Sequence, residues 1–71
     1  MELKQQVLRG WCQEMTKAMD YKADELFQHC VDKIVEILNA LTREEQQAIF
    51  NADKDMRAFV ESFGTFKNLV K

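Results

Sequence analysis

Apolar and polar residues follow a helical period along most of the chain, and the period is clearest from Ala23 to Leu41. At about 100° per residue, the apolar side chains of this stretch cover about half of a helix circumference. A stripe of this width exceeds the seam that one packed neighbour needs, so we expect at least two other helices to cover it. The apolar positions are Ala23, Leu26, Phe27, Cys30, Val31, Ile34, Val35, Ile37, Leu38 and Leu41.

The same period on both sides of this stretch predicts an all-α fold, a compact bundle of three to four helices that a second copy of the chain could complete. With no proline and only two glycines, the chain lacks the turn residues that a β architecture requires. Its length corresponds to a single helical domain over residues 1–71. Because no glycine or proline separates the first two helices, one unbroken helix over residues 3–41 is the alternative to a turn between them. The predicted helices span residues 3–19, 22–41, 43–51 and 54–63.

Capping side chains and one glycine are expected to mark the helix ends. Thr42 and Glu45 have the spacing of a capping box and predict the start of the third helix. Asp20 is expected to cap the second helix. Residues 51–53 are expected to form a turn with two side chains able to cap, Asn51 and Asp53. Gly64 is expected to end the fourth helix in the left-handed conformation that glycine tolerates best.

Composition narrows the classes of function. The net charge of −2 gives no global basic field that would attract nucleic acid or an anionic membrane. Two cysteines, Cys12 and Cys30, are too few for a disulfide framework and do not form a Cys-x-x-Cys pair. No segment approaches the ~20 apolar residues of a membrane span, and the first residues do not resemble a secretory signal. We expect a cytoplasmic protein with no membrane partner.

Groups suited to catalysis or metal binding are few. His29 is the only histidine, and a zinc site needs about four ligands, which one histidine and two separated cysteines do not supply. His29 and Cys30 are consecutive, so on a helix they point about 100° apart and do not form a nucleophile–base pair. We therefore expect no enzymatic activity, no metal and no cofactor.

Apolar side chains exceed what so short a chain can bury. The first, second and fourth predicted helices and the C-terminal segment each carry an apolar stripe, and a small bundle cannot hide every face. We therefore predict a small non-enzymatic protein-binding regulator, an adaptor or inhibitor of a larger protein, that acts as a homodimer. Its interface, with a second copy or with the larger protein, is predicted at Leu8, Trp11, Met15, Met19, Phe63, Phe66 and Leu69.

The C-terminal third supports an alternative function, nucleic-acid binding. Residues 54–71 carry four basic and two acidic side chains, interleaved with phenylalanines that could stack on bases. Asp55 and Glu61 dilute this basic patch, and the phenylalanines have the spacing of a helical core. The predicted contacts to nucleic acid are Lys54, Arg57, Lys67 and Lys71.

The segment Ala23–Phe27, together with Cys30, resembles a short piece of the second helix of the plasmid-encoded RNA-binding hairpin dimers of the Rop type. The similarity spans residues 23–30 and does not extend into the flanking segments. The matching residues are common helix formers, so the resemblance implies a helix at this position, and no activity or partner is carried over from it.

Overall fold

The helical period of the sequence is realised in four α-helices and one short 3-10 helix, with no strand, in a computed structural model that describes residues 2–70. The predicted all-α bundle is confirmed, and each predicted helix boundary lies within two residues of the observed one. The first two helices are separate, so the alternative of one unbroken helix is wrong. The elements are α1 (Glu2–Asp20), α2 (Asp24–Ala40), α3 (Arg43–Ala52), α4 (Lys54–Glu61) and the 3-10 helix (Gly64–Phe66).

The turn between α1 and α2 is built around a lysine in a left-handed backbone conformation. Lys22 has φ 55°, and its N–H donates to the Met19 carbonyl at 3.2 Å. The next N–H, of Ala23, donates to the Ala18 carbonyl at 2.9 Å. These two bonds form a Schellman motif, which satisfies carbonyls at the end of α1 and reverses the chain without a glycine. The predicted cap at Asp20 is wrong because α1 continues through this residue, and Ala23 precedes α2 instead.

Replacing Lys22 with Gly is expected to raise the free energy of unfolding by about 0.5–1 kcal/mol, because glycine adopts this conformation without the Cβ clash of an L side chain. Lys22→Ala is the matched control. It removes the charge but keeps the Cβ, and should stay within about 0.5 kcal/mol of the parent protein. Urea unfolding of the three proteins measures the difference. Equal gains for glycine and alanine would assign the effect to the lysine charge rather than to the backbone.

The hydrophobic core lies between the α1–α2 hairpin and the elements that follow it. The two helices of the hairpin run antiparallel and make the most extensive contact between elements. α3, α4 and the 3-10 helix fold back over one side of the hairpin and complete the core. The buried core residues are Leu8, Cys12, Met15, Cys30, Val31, Ile34, Leu38, Leu41, Ile49, Phe50, Met56, Val60 and Phe66.

A buried glutamine ties three segments of the chain together. Gln46 of α3 is almost fully buried, and its Nε2 donates to the Leu38 carbonyl at 3.1 Å and to the Leu69 carbonyl at 3.0 Å. Leu38 is in the last turn of α2, where carbonyls lack intrahelical partners. The amide therefore holds the end of α2, the body of α3 and the C-terminal segment in one arrangement.

The predicted capping box begins α3. The Thr42 hydroxyl accepts from the Glu45 N–H at 3.1 Å, and the Glu45 carboxylate accepts from the Thr42 N–H at 3.0 Å. The same carboxylate accepts from Lys4 of α1 at 2.5 Å. The hydrogen bond from Lys4, and then that from the Thr42 N–H, lower the pKa of Glu45 to about 2.

The end of α4 differs from the prediction. The helix ends at Glu61, and the Ser62 hydroxyl donates to the Phe59 carbonyl at 2.6 Å. Gly64 does not have a positive φ and instead begins the 3-10 helix, so its predicted left-handed role is wrong. The 3-10 turn brings Phe66 under the bundle, where it is completely buried.

Candidate functional site

Exposed apolar side chains occur on the outer side of α1. Leu3 is 73% exposed and Val7 is 44% exposed, although both are large hydrophobic side chains. They lie four residues apart, so they share one face of the helix, and this face continues through Gly10, Trp11 and Glu14. α1 therefore has two apolar faces, one buried in the core and one open.

The open face of α1 continues onto α2. Leu3 and Val7 line a groove together with Ile37, Ala40 and Leu41. Farther along the hairpin, the ring of Trp11 meets the ring of His29 edge to face, with centroids 5.4 Å apart. The two helices thus form one continuous surface, which we term the hairpin face. Its α1 residues are Leu3, Val7, Gly10, Trp11 and Glu14, and its α2 residues are Leu26, His29, Lys33, Ile37 and Ala40.

α4 and the Asp53 residue that precedes it pack on the opposite side of α1. Arg9 donates through Nε to the Asp53 carboxylate at 2.7 Å, and a second bond joins its terminal nitrogen to the same oxygen. Cys12 lies in a shallow groove beside Met56 and Phe59 of α4. Because α4 occupies this side, the hairpin face remains open to a partner.

Gly10 lies in the middle of the α1 part of the hairpin face. A Cβ at this position would meet no heavy atom within 4 Å, so nothing inside the described chain requires a glycine here. Glycine in a helix interior costs about 1 kcal/mol relative to alanine. Its place is a hollow flanked by Val7, Trp11 and Glu14. Such a hollow allows another helix to approach α1 closely.

The residues that the sequence predicted for the interface differ in how deeply the structure buries them. Leu8, Met15 and Phe66 are buried in the chain's own core, and their assignment to an interface stays a prediction. Helical spacing places them in an apolar stripe, but it does not show whether that side of the helix packs in the chain's own core or contacts a partner. Trp11, Phe63 and Leu69 are partly buried against the core, and Met19 is exposed near the hairpin turn. Among the predicted residues, Trp11 alone belongs to the hairpin face.

The strongest members of the hairpin face, Leu3 and Val7, were not predicted as interface residues. Both have the helical spacing of the apolar stripe of α1. The available signal was the width of that stripe. It extends from Leu3 and Val7 on one flank to Leu8 and Cys12 on the other, which is more than one packed neighbour covers.

The residues predicted to contact nucleic acid do not form one free basic patch. Arg57 donates to Glu61 at 2.8 Å, while Lys54 and Lys67 are exposed. Lys71 lies outside the described residues. The aromatic rings between these positions contact one another, with Phe59–Phe63 centroids 5.1 Å and Phe63–Phe66 centroids 6.1 Å apart. The rings pack edge to face against one another, and Phe66 is completely buried, so they do not stand free for bases.

The two thiols are in surroundings that oppose thiolate formation. Burial and, to a lesser extent, the charge of Asp53 raise the pKa of Cys12 to about 12. Burial, followed by the charge of Glu14, also raises the pKa of Cys30. A nucleophilic cysteine requires a lowered pKa. Over residues 2–70, no three His, Cys, Asp or Glu side chains come together in a way that could hold a metal ion.

Comparisons of the chain with protein-family models, with characterised proteins and with solved structures show no match. In the part of the chain that the structure describes, no helix combines the length and the apolar character needed to cross a membrane. The fold and surface therefore define the protein as a small all-helical bundle with one open, partly apolar hairpin face.

Proposed function

We propose that this chain is a small non-enzymatic regulator that acts by binding protein through its hairpin face. The observation that carries the proposal is the placement of Leu3 and Val7, which expose large apolar surface beside the groove formed with Ile37 and Ala40. Exposed apolar side chains that cluster next to a groove, with polar residues around them, are typical of protein interfaces.

The surroundings of the cysteines and of Trp11 support a binding function more than an enzymatic one. The pKa values of both cysteines are raised, and the open groove beside Cys12 does not enclose a substrate. Trp11 adds an aromatic anchor at the centre of the hairpin face, where interface energy is usually concentrated. Nucleic-acid binding has less support, because Arg57 pairs with Glu61 and Phe66 is buried.

Replacing Val7 with Glu is expected to weaken binding of the protein partner at least about tenfold, because a carboxylate would be placed in an apolar contact. The parent and variant chains are immobilised and exposed to a lysate of the native host. The total protein that each retains is then measured, including untagged copies of the chain itself. Val7 is exposed, so the unfolding midpoint should change little.

Ala58→Glu is the matched control for this experiment. Ala58 is an exposed position within α4, away from the hairpin face, and the substitution introduces the same charge. The control should bind as the parent protein does. Equal binding by all three proteins, or binding that disappears when nuclease is added, would contradict the proposal.

A further inference from the structure

We propose that the occupant of the hairpin face is an amphipathic helix of another protein. Its apolar side enters the groove between α1 and α2, and its flank over α2 is rich in lysine or arginine. This inference rests on the proposed function, since it gives the chemistry of the partner that the same face binds. Two features of the molecule carry it, the shape of the groove and the charge of the borders on each side of it.

The groove between the two antiparallel helices suits a helix better than an extended segment. Leu3 and Val7 of α1, with Ile37 and Ala40 of α2, give it an apolar lining. At Gly10 no side chain fills the space above α1, so the backbone of a further helix can approach closely. Residues 2–70 include no strand, so an extended segment would find no sheet edge to pair with, whereas a helix satisfies its own backbone hydrogen bonds.

The border of the hairpin face along α2 is acidic. Glu25 and Asp32 are exposed and lie four and three residues from His29, which belongs to the face. Glu36 is also exposed and lies four residues before Ala40, another member of the face. Because residues three and four apart are neighbours on a helix surface, these carboxylates form one row along the edge of the groove. We term this row, Glu25, Asp32 and Glu36, the acidic border.

Two carboxylates of the acidic border have no basic partner within residues 2–70. Glu36 pairs with Lys33 at 3.7 Å, which neutralises both. Asp32 accepts a hydrogen bond from the uncharged amide of Gln28 at 3.0 Å, and Glu25 is not in an ion pair within this range. The acidic border therefore presents about two negative charges to whatever lies in the groove.

The border of the hairpin face along α1 has no net charge. Gln6 and Gln13 flank the hollow at Gly10, and Glu14 pairs with Lys17 at 3.5 Å. A helix in the groove therefore meets amides on the α1 side and uncompensated carboxylates on the α2 side. Basic side chains on the second flank complement these carboxylates, and charge pairs at the rim of an interface favour one partner over others.

The same charges disfavour three other occupants. A second copy of the chain would bring its own acidic border, and its hairpin face offers no unpaired lysine or arginine, because Lys33 already pairs with Glu36. An anionic membrane surface and a nucleic acid would both be repelled by Glu25 and Asp32. A basic amphipathic helix matches the apolar groove and the acidic border together.

Fluorescence of Trp11 measures the binding of designed helices to the full chain. Trp11 is the only tryptophan and lies in the hairpin face, so its emission should shift to shorter wavelength when a helix covers it. The first probe is a stapled helix of about 18 residues, about 27 Å long, with leucine and alanine on one side, lysine on one flank and glutamine elsewhere. The second has glutamate in place of lysine, and the third has the composition of the first in scrambled order.

The lysine probe is expected to bind saturably, with a Kd below about 1 mM. The glutamate probe should bind at least about tenfold more weakly, because its flank repels the acidic border. The scrambled probe should also bind at least about tenfold more weakly, because it has the lysines but no apolar side for the groove. The difference between the lysine and glutamate probes should shrink as salt is added, since charges at the rim are screened.

Reversing the charge of the acidic border tests its role directly. The double variant Glu25→Lys with Asp32→Lys changes two exposed positions, and it is expected to bind the glutamate probe more tightly than the lysine probe. The matched control is Asp55→Lys with Glu61→Lys. Both positions are exposed on α4, and the net charge changes by the same amount. The control should keep the preference of the parent protein, and circular dichroism verifies that each variant is folded.

Several results would overturn the inference. They are equal binding of the lysine and glutamate probes, no saturable binding of any probe up to about 1 mM, and a reversed variant that still prefers lysine. A control that loses the preference as the reversed variant does would also overturn it, because net charge alone would then be the cause. A dimer in sedimentation equilibrium that Val7→Glu dissociates, or binding to anionic vesicles that Val7→Glu abolishes, would name a different occupant. In each case the lysate experiment with Val7→Glu decides the proposed function separately, because it registers any protein bound at the hairpin face.

Discussion

Truncating Phe66 to Ala is expected to remove about 3–5 kcal/mol from the free energy of unfolding. A chain of this length has a total stability of about 4–10 kcal/mol, so the variant should be largely or partly unfolded at room temperature. Phe66 is completely buried, and its carbonyl accepts from the N–H groups of Leu69 and Val70 at 3.0 and 3.2 Å. Loss of the ring leaves a cavity at the point where the C-terminal segment joins the bundle. Urea unfolding, followed by circular dichroism, measures the change.

Two variants establish that burial of Phe66 is the cause. Phe66→Leu keeps most of the volume and should cost less than about 1.5 kcal/mol. Phe63→Ala removes a ring from the same aromatic cluster, but Phe63 is only partly buried, so its loss should be clearly smaller than that of Phe66→Ala. A Phe66→Ala variant that folds within about 1 kcal/mol of the parent protein would contradict the core assignment and return Phe66 to the interface.

Features that depend on neighbouring residues were predicted from sequence. The capping box of Thr42 and Glu45 needs only a hydroxyl and a carboxylate three residues apart, and it forms as expected. The Asp53 cap of α4 is local in the same way, with its carboxylate accepting from the Met56 N–H at 3.1 Å. The helical period depends on spacing alone, which is why the class and the helix boundaries could be predicted.

Backbone conformations that the residue type does not indicate were not predicted from the sequence. The turn after α1 places a left-handed residue at Lys22, where sequence rules favour glycine. Gly64 has the residue type for that conformation and does not adopt it, because Ser62 ends α4 earlier and a 3-10 turn follows. Residue type gives a preference, and the packing of the following segment decides the conformation.

The assignment of each apolar residue to core or surface also required the tertiary structure. Leu3 and Leu8 belong to the same helix and the same apolar pattern, yet one is mostly exposed and the other is fully buried. The difference arises because α4 and the 3-10 helix fold back on only one side of the hairpin. Contacts such as that of Gln46 with Leu69 join residues far apart in sequence, and helical periodicity contains no information about them.

Arg9 and Asp53 form a pair between residues 44 positions apart in the sequence, and loss of this pair is expected to have a large effect on stability. Asp53 is 4% exposed, caps α4 through Met56, and accepts two hydrogen bonds from Arg9 of α1. Asp53→Ala removes the cap and the charged hydrogen bonds and is expected to cost about 2–3 kcal/mol. The value is moderate because half of the Arg9 side chain is exposed and screened by water.

The acid dependence of this effect identifies the charge as its source. Burial raises the pKa of Asp53, but the hydrogen bonds from Arg9 and the Met56 N–H, with the Arg9 charge, outweigh it and lower the pKa. A carboxyl group whose pKa is lower in the folded state stabilises the fold above its unfolded pKa of about 3.9 and loses this contribution as pH falls through the folded pKa. Asp53→Asn keeps the cap but has no charge, so it should be less stable than the parent protein at pH 7.

The difference in stability between the parent protein and Asp53→Asn is therefore expected to shrink as the pH falls below about 4. Glu45, whose pKa is also lowered, is present in both proteins, so its own titration cancels from the difference. Arg9→Ala serves as the control, because it removes the partner and keeps the carboxyl group. It should make the acid dependence shallower as well, since Asp53 then loses the interaction that lowers its pKa. Urea unfolding between pH 7 and pH 2.5 measures these differences, and a gap that stays constant over this range would show that Asp53 acts through its shape and hydrogen bonds, with no contribution from its ionisation.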